Sequence, residues 1–179
     1  MLYKPSDDTF FLADSIVDYK GNYALEIGTG SGYLTAILCK NYKFVVGSDI
    51  DFESVLYSKY FLNTFNNKFL ICCDICEPLR LMFDIIVCNP PYLPLDGQKN
   101  SNDDDYAIYG GITGLEITLK VLSLYKSNLN DDGKIVFIKS SLSNTDKFDL
   151  FIKNNLLKIR TLATKRHFFE SLEVCEITK

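Results

Sequence analysis

The fold class that the sequence predicts is a single α/β domain on a mixed, mostly parallel sheet with helices on both faces. Three observations carry this expectation. Short β-branched and aromatic runs alternate with longer amphipathic stretches, the pattern of strand–helix–strand units. A glycine-rich turn, Gly28-Thr29-Gly30-Ser31-Gly32, falls directly between the first strand-like run and the helix-like run after it. Open α/β sheets hold their ligands at such turns. The 179 residues, 47% hydrophobic and 23% charged, suffice for one sizeable core.

Taken in order, periodicity predicts an opening helix over residues 9–19. Tyr23-Ala24-Leu25-Glu26-Ile27 is the first strand, and the glycine turn leads into a helix through Lys40. A strand over 44–49 ends at Asp49. A helix over 53–65 and the strand Phe69-Leu70-Ile71-Cys72-Cys73 come next. The fourth strand, 83–88, runs into Asn89-Pro90-Pro91-Tyr92. Two successive prolines cannot continue a central strand or a helix, so the backbone must leave the sheet there. Residues 93–111 are polar and lack any period, and a loop this long in a compact domain usually has a function. It reads either as a lid, mobile without substrate and partly ordered on binding, whose Asp103-Asp104-Asp105 run meets a basic surface on a protein substrate, or as a solvated loop with no contacts. Leu115, Leu119, Leu122 and Tyr125 stand at helical spacing and predict a helix over 114–127. Asn130-Asp131-Asp132-Gly133 reads as a turn before a strand over 134–139. A helix over 146–156 and strands over 159–164 and 172–178 complete about seven strands. With no internal repeat and no linker, one domain over residues 1–179 is expected.

Nineteen Lys and Arg against 23 Asp and Glu leave a formal charge of −4. A chain that binds mainly by neutralising phosphates should be basic, so composition counts against nucleic acid as the principal partner. No apolar run reaches the roughly 18 residues of a membrane span, and the opening residues lack the basic-then-apolar order of a secretory signal. A cytoplasmic protein is expected. Its six cysteines lie mostly within apolar strand-like runs, as reduced, buried thiols do. Cys73-x-x-Cys76 has no second pair, and His167, the only histidine, is far away in sequence. Neither a metal site nor a catalytic role for His167 is therefore predicted.

Three motifs carry chemistry. In Glu26-x-Gly28-x-Gly30-x-Gly32 the glycines allow a sharp turn and close approach to a nucleotide-type cofactor. The dinucleotide fingerprint needs its third glycine one place later, where this chain has Tyr33, so the spacing suits a ligand without a pyrophosphate. Asp49, at the end of the next strand, can accept both hydroxyls of a ribose, with Asp51 as the alternative. Asp74 comes after the third strand and reads equally as a partner for an adenine amino group and as a turn or capping aspartate. In Asn89-Pro90-Pro91-Tyr92, the asparagine side chain and a prolyl carbonyl form a pair of acceptors suited to a planar NH2 group, on which Tyr92 can stack.

Together these motifs resemble the class I S-adenosylmethionine-dependent methyltransferases that act on amide or exocyclic amino nitrogens. More closely, the chain is similar to the HemK-like glutamine methyltransferases of release factors. Tyr3-Lys4-Pro5-Ser6-Asp7-Asp8-Thr9 is similar to the Tyr-Glu-Pro-x-Glu-Asp-Thr opening of the eukaryotic and archaeal branch, with Lys4 in place of an acid. Gly110-Gly111-x-x-Gly114 matches a turn found there after the catalytic motif.

The resemblance implies a Rossmann-like sheet of order 3-2-1-4-5-7-6 and S-adenosyl-L-methionine as cofactor. The residues it assigns to that cofactor are Thr9, Glu26, Gly28, Gly30, Gly32, Asp49, Asp74 and Asn89. It assigns catalysis to Asn89, Pro90 and Tyr92. The implied reaction is methylation of the glutamine amide of a Gly-Gly-Gln motif in a class I translation release factor. Histone lysine and DNA adenine are alternative acceptors, and a non-enzymatic cofactor-binding scaffold is the rival outside catalysis. A nicotinamide-dependent oxidoreductase is disfavoured by the glycine spacing. The resemblance also implies a small zinc-binding activator subunit. The strand order leaves Phe69 to Cys73 at an open edge without charge or proline, so that strand is expected to pair with the activator.

Overall fold

The computed structural model describes residues 4–76, 79–95, 108–166 and 169–179. The chain runs α1 (Asp7–Ile16), β1 (Gly21–Ile27), α2 (Tyr33–Asn41), β2 (Tyr42–Asp49), α3 (Phe52–Phe61), β3 (Lys68–Cys72) and β4 (Phe83–Cys88). It continues through α4 (Glu116–Ser123), a 3-10 turn (Leu124–Lys126), β5 (Leu129–Ser140), α5 (Asp146–Asn154), β6 (Lys158–Arg166) and β7 (Ser171–Thr178). The seven strands form one sheet in the order β3-β2-β1-β4-β5-β7-β6, as expected. β1 to β5 are parallel, and β7 runs antiparallel to both β5 and β6.

Both faces of the central strands are buried, which is why those strands read as continuous apolar runs. On one face Ala24, Val45, Val87 and Val136 pack beneath Leu12 and Ile16 of α1 and Leu34 and Leu38 of α2. On the other, Leu25, Ile86 and Phe137 pack against Leu122 of α4 and Phe148 of α5. The described residues between β3 and β4 form no helix. That second face is therefore thinly covered at the β3 side. An aromatic row runs across its surface, with Tyr23 against Phe44 at 5.7 Å and Phe44 stacked on Phe69 at 4.4 Å. Tyr23 and Phe69 are exposed.

Two expectations are corrected. Residues 130–133 do not form a turn ahead of a strand. They lie within β5, whose pairing with β4 jumps from Phe83–Leu129 to Ile85–Lys134. The polar stretch is absorbed as a large bulge, held by Asn130 Nδ2 donating to Asp84 Oδ1 at 2.7 Å. The edge strand begins at Lys68, not Phe69, so it does contain a charge. The Lys68 ammonium turns back to donate to the Phe65 carbonyl at 2.6 Å. Except for α2, which runs one residue past Lys40, the helices end earlier than periodicity suggests. α5 stops at Asn154, and Leu156 adopts a left-handed φ of 53°. Tyr3, His167 and most of the candidate lid, including Asp103-Asp104-Asp105, lie outside the described residues.

Candidate active site

A cavity of about 660 Å³ opens at the carboxyl ends of β1, β2 and β4, where the strand order reverses direction. Its floor is the loop after β1. Gly28 and Thr29 donate their N–H groups to the Ser48 carbonyl at 2.8 and 2.9 Å, and Gly32 donates to Thr29 at 2.7 Å. Gly28 and Gly32 take φ values of +74° and +82°, the left-handed region that favours glycine. They differ in purpose. A Cβ on Gly28 would meet nothing within 4 Å, which leaves that backbone open to a ligand. A Cβ on Gly32 would press on Ser58 of α3 and on Leu62 just beyond its end at 3.2 Å, so that glycine permits helix packing.

Asp49 closes β2 beside this loop. Its Oδ2 accepts the Gly30 N–H at 2.8 Å and its Oδ1 the Asp51 N–H at 2.9 Å. A carboxylate has about four lone-pair sites, so acceptor capacity remains for ribose hydroxyls. Asp51 has another task as the N-cap of α3, accepting from Glu53 N at 3.2 Å and Ser54 Oγ at 2.9 Å. The Ser54 contact holds its carboxyl below the usual range. Asp74 borders the cavity on the bend after β3, 3.9 Å from Lys120. That bend is fixed by Ser48 Oγ donating to the Ile75 carbonyl at 2.6 Å.

Glu26 lies deepest. Its carboxyl takes hydrogen bonds from the Thr35 hydroxyl and, at 3.2 Å, from Thr29 Oγ1. Burial pushes it up to about 8. It braces the glycine loop from below while also lining the cavity. Burial likewise pushes the thiols of Cys39 and Cys175 up to about 11 and that of Cys88 beyond the ordinary thiol range.

The Asn-Pro-Pro-Tyr turn leaves β4 at Cys88 and enters the cavity wall. Asn89 donates through Nδ2 to Asp8 Oδ2 at 3.2 Å, while its Oδ1 is buried with no hydrogen-bond partner. Tyr92 donates its hydroxyl to the same Asp8 oxygen at 3.4 Å. Thr9, Pro90 and Tyr92 line the cavity with them. Asp8 is the participant that the sequence reading missed. Its only signal was a place beside Thr9 in the opening motif.

A second strand of chain clamps the turn. Leu93 bridges Tyr109, Gly110 donates to the Leu93 carbonyl at 2.9 Å, and Leu95 donates to Gly111 O at 2.9 Å. Gly110 and Gly114 pass so close to the Pro91 and Tyr92 carbonyls that a Cβ on either would overlap them. Ser143 adds a hydrogen bond to the Tyr92 carbonyl at 2.9 Å. Glu116 ties the glycine turn to α4 by accepting from Thr113 N at 3.0 Å. Burial works to raise its carboxyl, but the N–H groups of Thr113 and Leu115 outweigh that and hold it below the usual range.

Known proteins resemble this chain in sequence and in fold. The methyltransferase small domain family matches residues 6–103, more than half of the chain. A Methanocaldococcus jannaschii protein named as a protein N5-glutamine methyltransferase is 33% identical over 178 residues, covering 97% of this chain and 89% of the relative. The eRF1 methyltransferase catalytic subunit mtq2 of Schizosaccharomyces pombe is 28% identical over 193 residues, covering 88% and 83%. A chain of the solved E. cuniculi Mtq2–Trm112 complex, described as responsible for methylation of the eRF1 translation termination factor, superposes with a TM-score of 0.74. It is 20% identical and covers 99% of this chain and 98% of that one, a likeness of fold.

Proposed function

This chain belongs to the methyltransferase small domain family, and from that premise we propose that it methylates the side-chain amide nitrogen of a glutamine in a class I translation release factor, within a Gly-Gly-Gln motif. One observation carries the reading. Asn89 Oδ1 is a buried acceptor with no partner, at the wall of a cavity whose other side is an open glycine loop. A buried acceptor left unpaired costs about 1–3 kcal/mol, which a bound N–H group recovers.

The residues present fit S-adenosyl-L-methionine. Gly28 leaves room for close approach, Asp49 keeps acceptor capacity for ribose hydroxyls, and Asp74, which lines the cavity, is the acceptor we assign to an adenine amino group. Thr9, Glu26 and Gly30 line the same cavity, whereas Gly32 is outside its lining and serves the packing against α3. When bound, the cofactor supplies an electrophilic methyl group on a sulfonium. The chain's own residues do the rest. An amide nitrogen is a poor nucleophile because its lone pair is delocalised, so catalysis must favour the geometry in which that lone pair faces the methyl group. Asn89 Oδ1 and the Pro90 carbonyl accept the two amide hydrogens, in contacts that strengthen as positive charge develops on nitrogen. Tyr92 packs against the plane of the amide.

The reading extends to a small partner subunit that pairs with β3. Its support is an edge strand whose Phe69 is 55% exposed and continues an aromatic row beneath which no helix is described. Unpaired N–H and C=O groups beside apolar side chains invite another strand.

The deciding experiment is methyl transfer from labelled cofactor to intact release factor and to a variant lacking the glutamine, with histone and DNA as further acceptors, each with and without the partner. Label on the intact factor and none on the variant is the expected result. Equal label on both, or label only on histone or DNA, would overturn the assignment.

A further inference from the structure

The carboxylate of Asp8 is only 7% exposed, and each of its oxygens is used by a different part of the chain. Oδ1 accepts the Thr9 N–H at 2.6 Å and the Ser6 hydroxyl, both in the first turn of α1. Oδ2 accepts from Asn89 Nδ2 and from the Tyr92 hydroxyl, more than eighty residues away in sequence. An ionised carboxylate has acceptors and no donor, so it discriminates between the two ends of the Asn89 carboxamide. That carboxamide is nearly symmetric in shape. Rotated half a turn, it would set Oδ1 against Asp8 Oδ2 and put its NH2 group in the place of the unpartnered Oδ1, where a donor would repel the N–H groups of a substrate amide.

We propose that Asp8 is a positioning residue that holds the Asn89 carboxamide in its acceptor-inward orientation before substrate arrives, with the Tyr92 hydroxyl anchored to the same oxygen. This rests on the methyl-transfer reading above. It explains why a charged side chain is buried at the start of α1, since no neutral side chain of this size offers an acceptor to donors on both sides. In Asp8→Asn one oxygen becomes an NH2 group. Either Thr9 N–H or Asn89 NH2 then faces a donor.

A double-mutant cycle tests the proposal. Asp8→Asn, Asn89→Ala and the double variant are compared for turnover on release factor and for cofactor binding. Asp8→Asn is expected to lower kcat about 10- to 100-fold, the scale of a small misplacement at a reacting centre, while cofactor affinity stays within about threefold. In the Asn89→Ala background the same change should cost almost nothing, because the residue it acts through is gone. Losses that multiply would overturn the proposal, since a general structural role or direct contact of Asp8 with substrate predicts that outcome. A second readout needs no activity. In a nitrogen–proton correlation spectrum the Asn89 carboxamide signals, identified by their loss in Asn89→Ala, should move in Asp8→Asn, and unmoved signals would also overturn the proposal. If the wild type transfers no methyl to release factor, the substrate reading fails, and the spectrum still decides the role of Asp8.

Discussion

Asp49 Oδ2 accepts the backbone N–H of Gly30 at 2.8 Å, joining the end of β2 to the loop after β1. The carboxylate proposed to hold the ribose thus also fixes a glycine of the loop that lines the cavity. Asp49→Ala should lose both. A hydrogen bond to a charged group contributes about 1.5–3 kcal/mol, so calorimetry should find cofactor binding weakened about 10- to 100-fold. Turnover at saturating cofactor should hold within a few-fold. An unchanged dissociation constant would remove Asp49 from the site and move the ribose role to Asp51, which lines the same cavity and, with two bonds accepted as a helix cap, also keeps acceptor capacity.

Asn89→Ala should show the opposite profile. Its Oδ1 is buried and unpartnered in a residue that lines the cavity, and no described side chain relies on it as an acceptor. Cofactor affinity should stay nearly intact while turnover falls at least about a hundredfold, the cost of one oriented hydrogen-bonding group in a transition state. Turnover within about threefold of the wild type would sink the assignment.

Asn89 and Asp49 were legible in the sequence because each stands at the carboxyl end of a strand of unmistakable period, and the sheet fixes where strand ends lie. β4 was read to the residue for that reason. Asp8 was not legible. Its partners Asn89 and Tyr92 are brought to it only when α1 packs across the sheet, and no local pattern encodes that contact. The polar residues 130–133 misled for a related reason. Asn-Asp-Asp-Gly has turn chemistry, yet Asp84 on the neighbouring strand supplies a partner that keeps it in β5 as a bulge. Gly110 and Gly114 were visible as a motif, but the Pro91 and Tyr92 carbonyls they accommodate became visible only in three dimensions.

Glu26 predicts a pH dependence of stability. Burial raises its folded pKa from 4.5 to about 8. Between those values the folded state keeps a proton that the unfolded state releases, so this group's contribution is full below about 4.5 and falls as pH rises toward 8. Glu26→Gln is neutral throughout and close in shape to the protonated acid. Measured without cofactor, the Tm of the variant relative to the wild type should climb between pH 5 and pH 8. At about 2–4 °C per kcal/mol for a chain of this size, the change should amount to several degrees. A difference that is flat with pH would mean that Glu26 is ionised in the fold.

The partner prediction turns on Phe69. On β3 it alternates with Leu70, which packs so near Gly47 that a Cβ there would lie 2.9 Å from Leu70 Cδ2. Substituting Leu70 would therefore disturb the domain itself, whereas Phe69 stands on the outer aromatic row, stacked on the partly buried Phe44. Phe69→Lys removes an exposed ring and places a charge on the strand that the partner is proposed to extend, the same device by which natural edge strands resist pairing. Cofactor binding by the variant should match the wild type, since β3 carries Phe69 away from the cavity lining. Co-purification with the partner should be lost or weakened at least about tenfold, the equivalent of about 1.4 kcal/mol, within reach of one buried aromatic anchor. If the complex forms with undiminished affinity while the fold is intact, the partner does not dock on this edge.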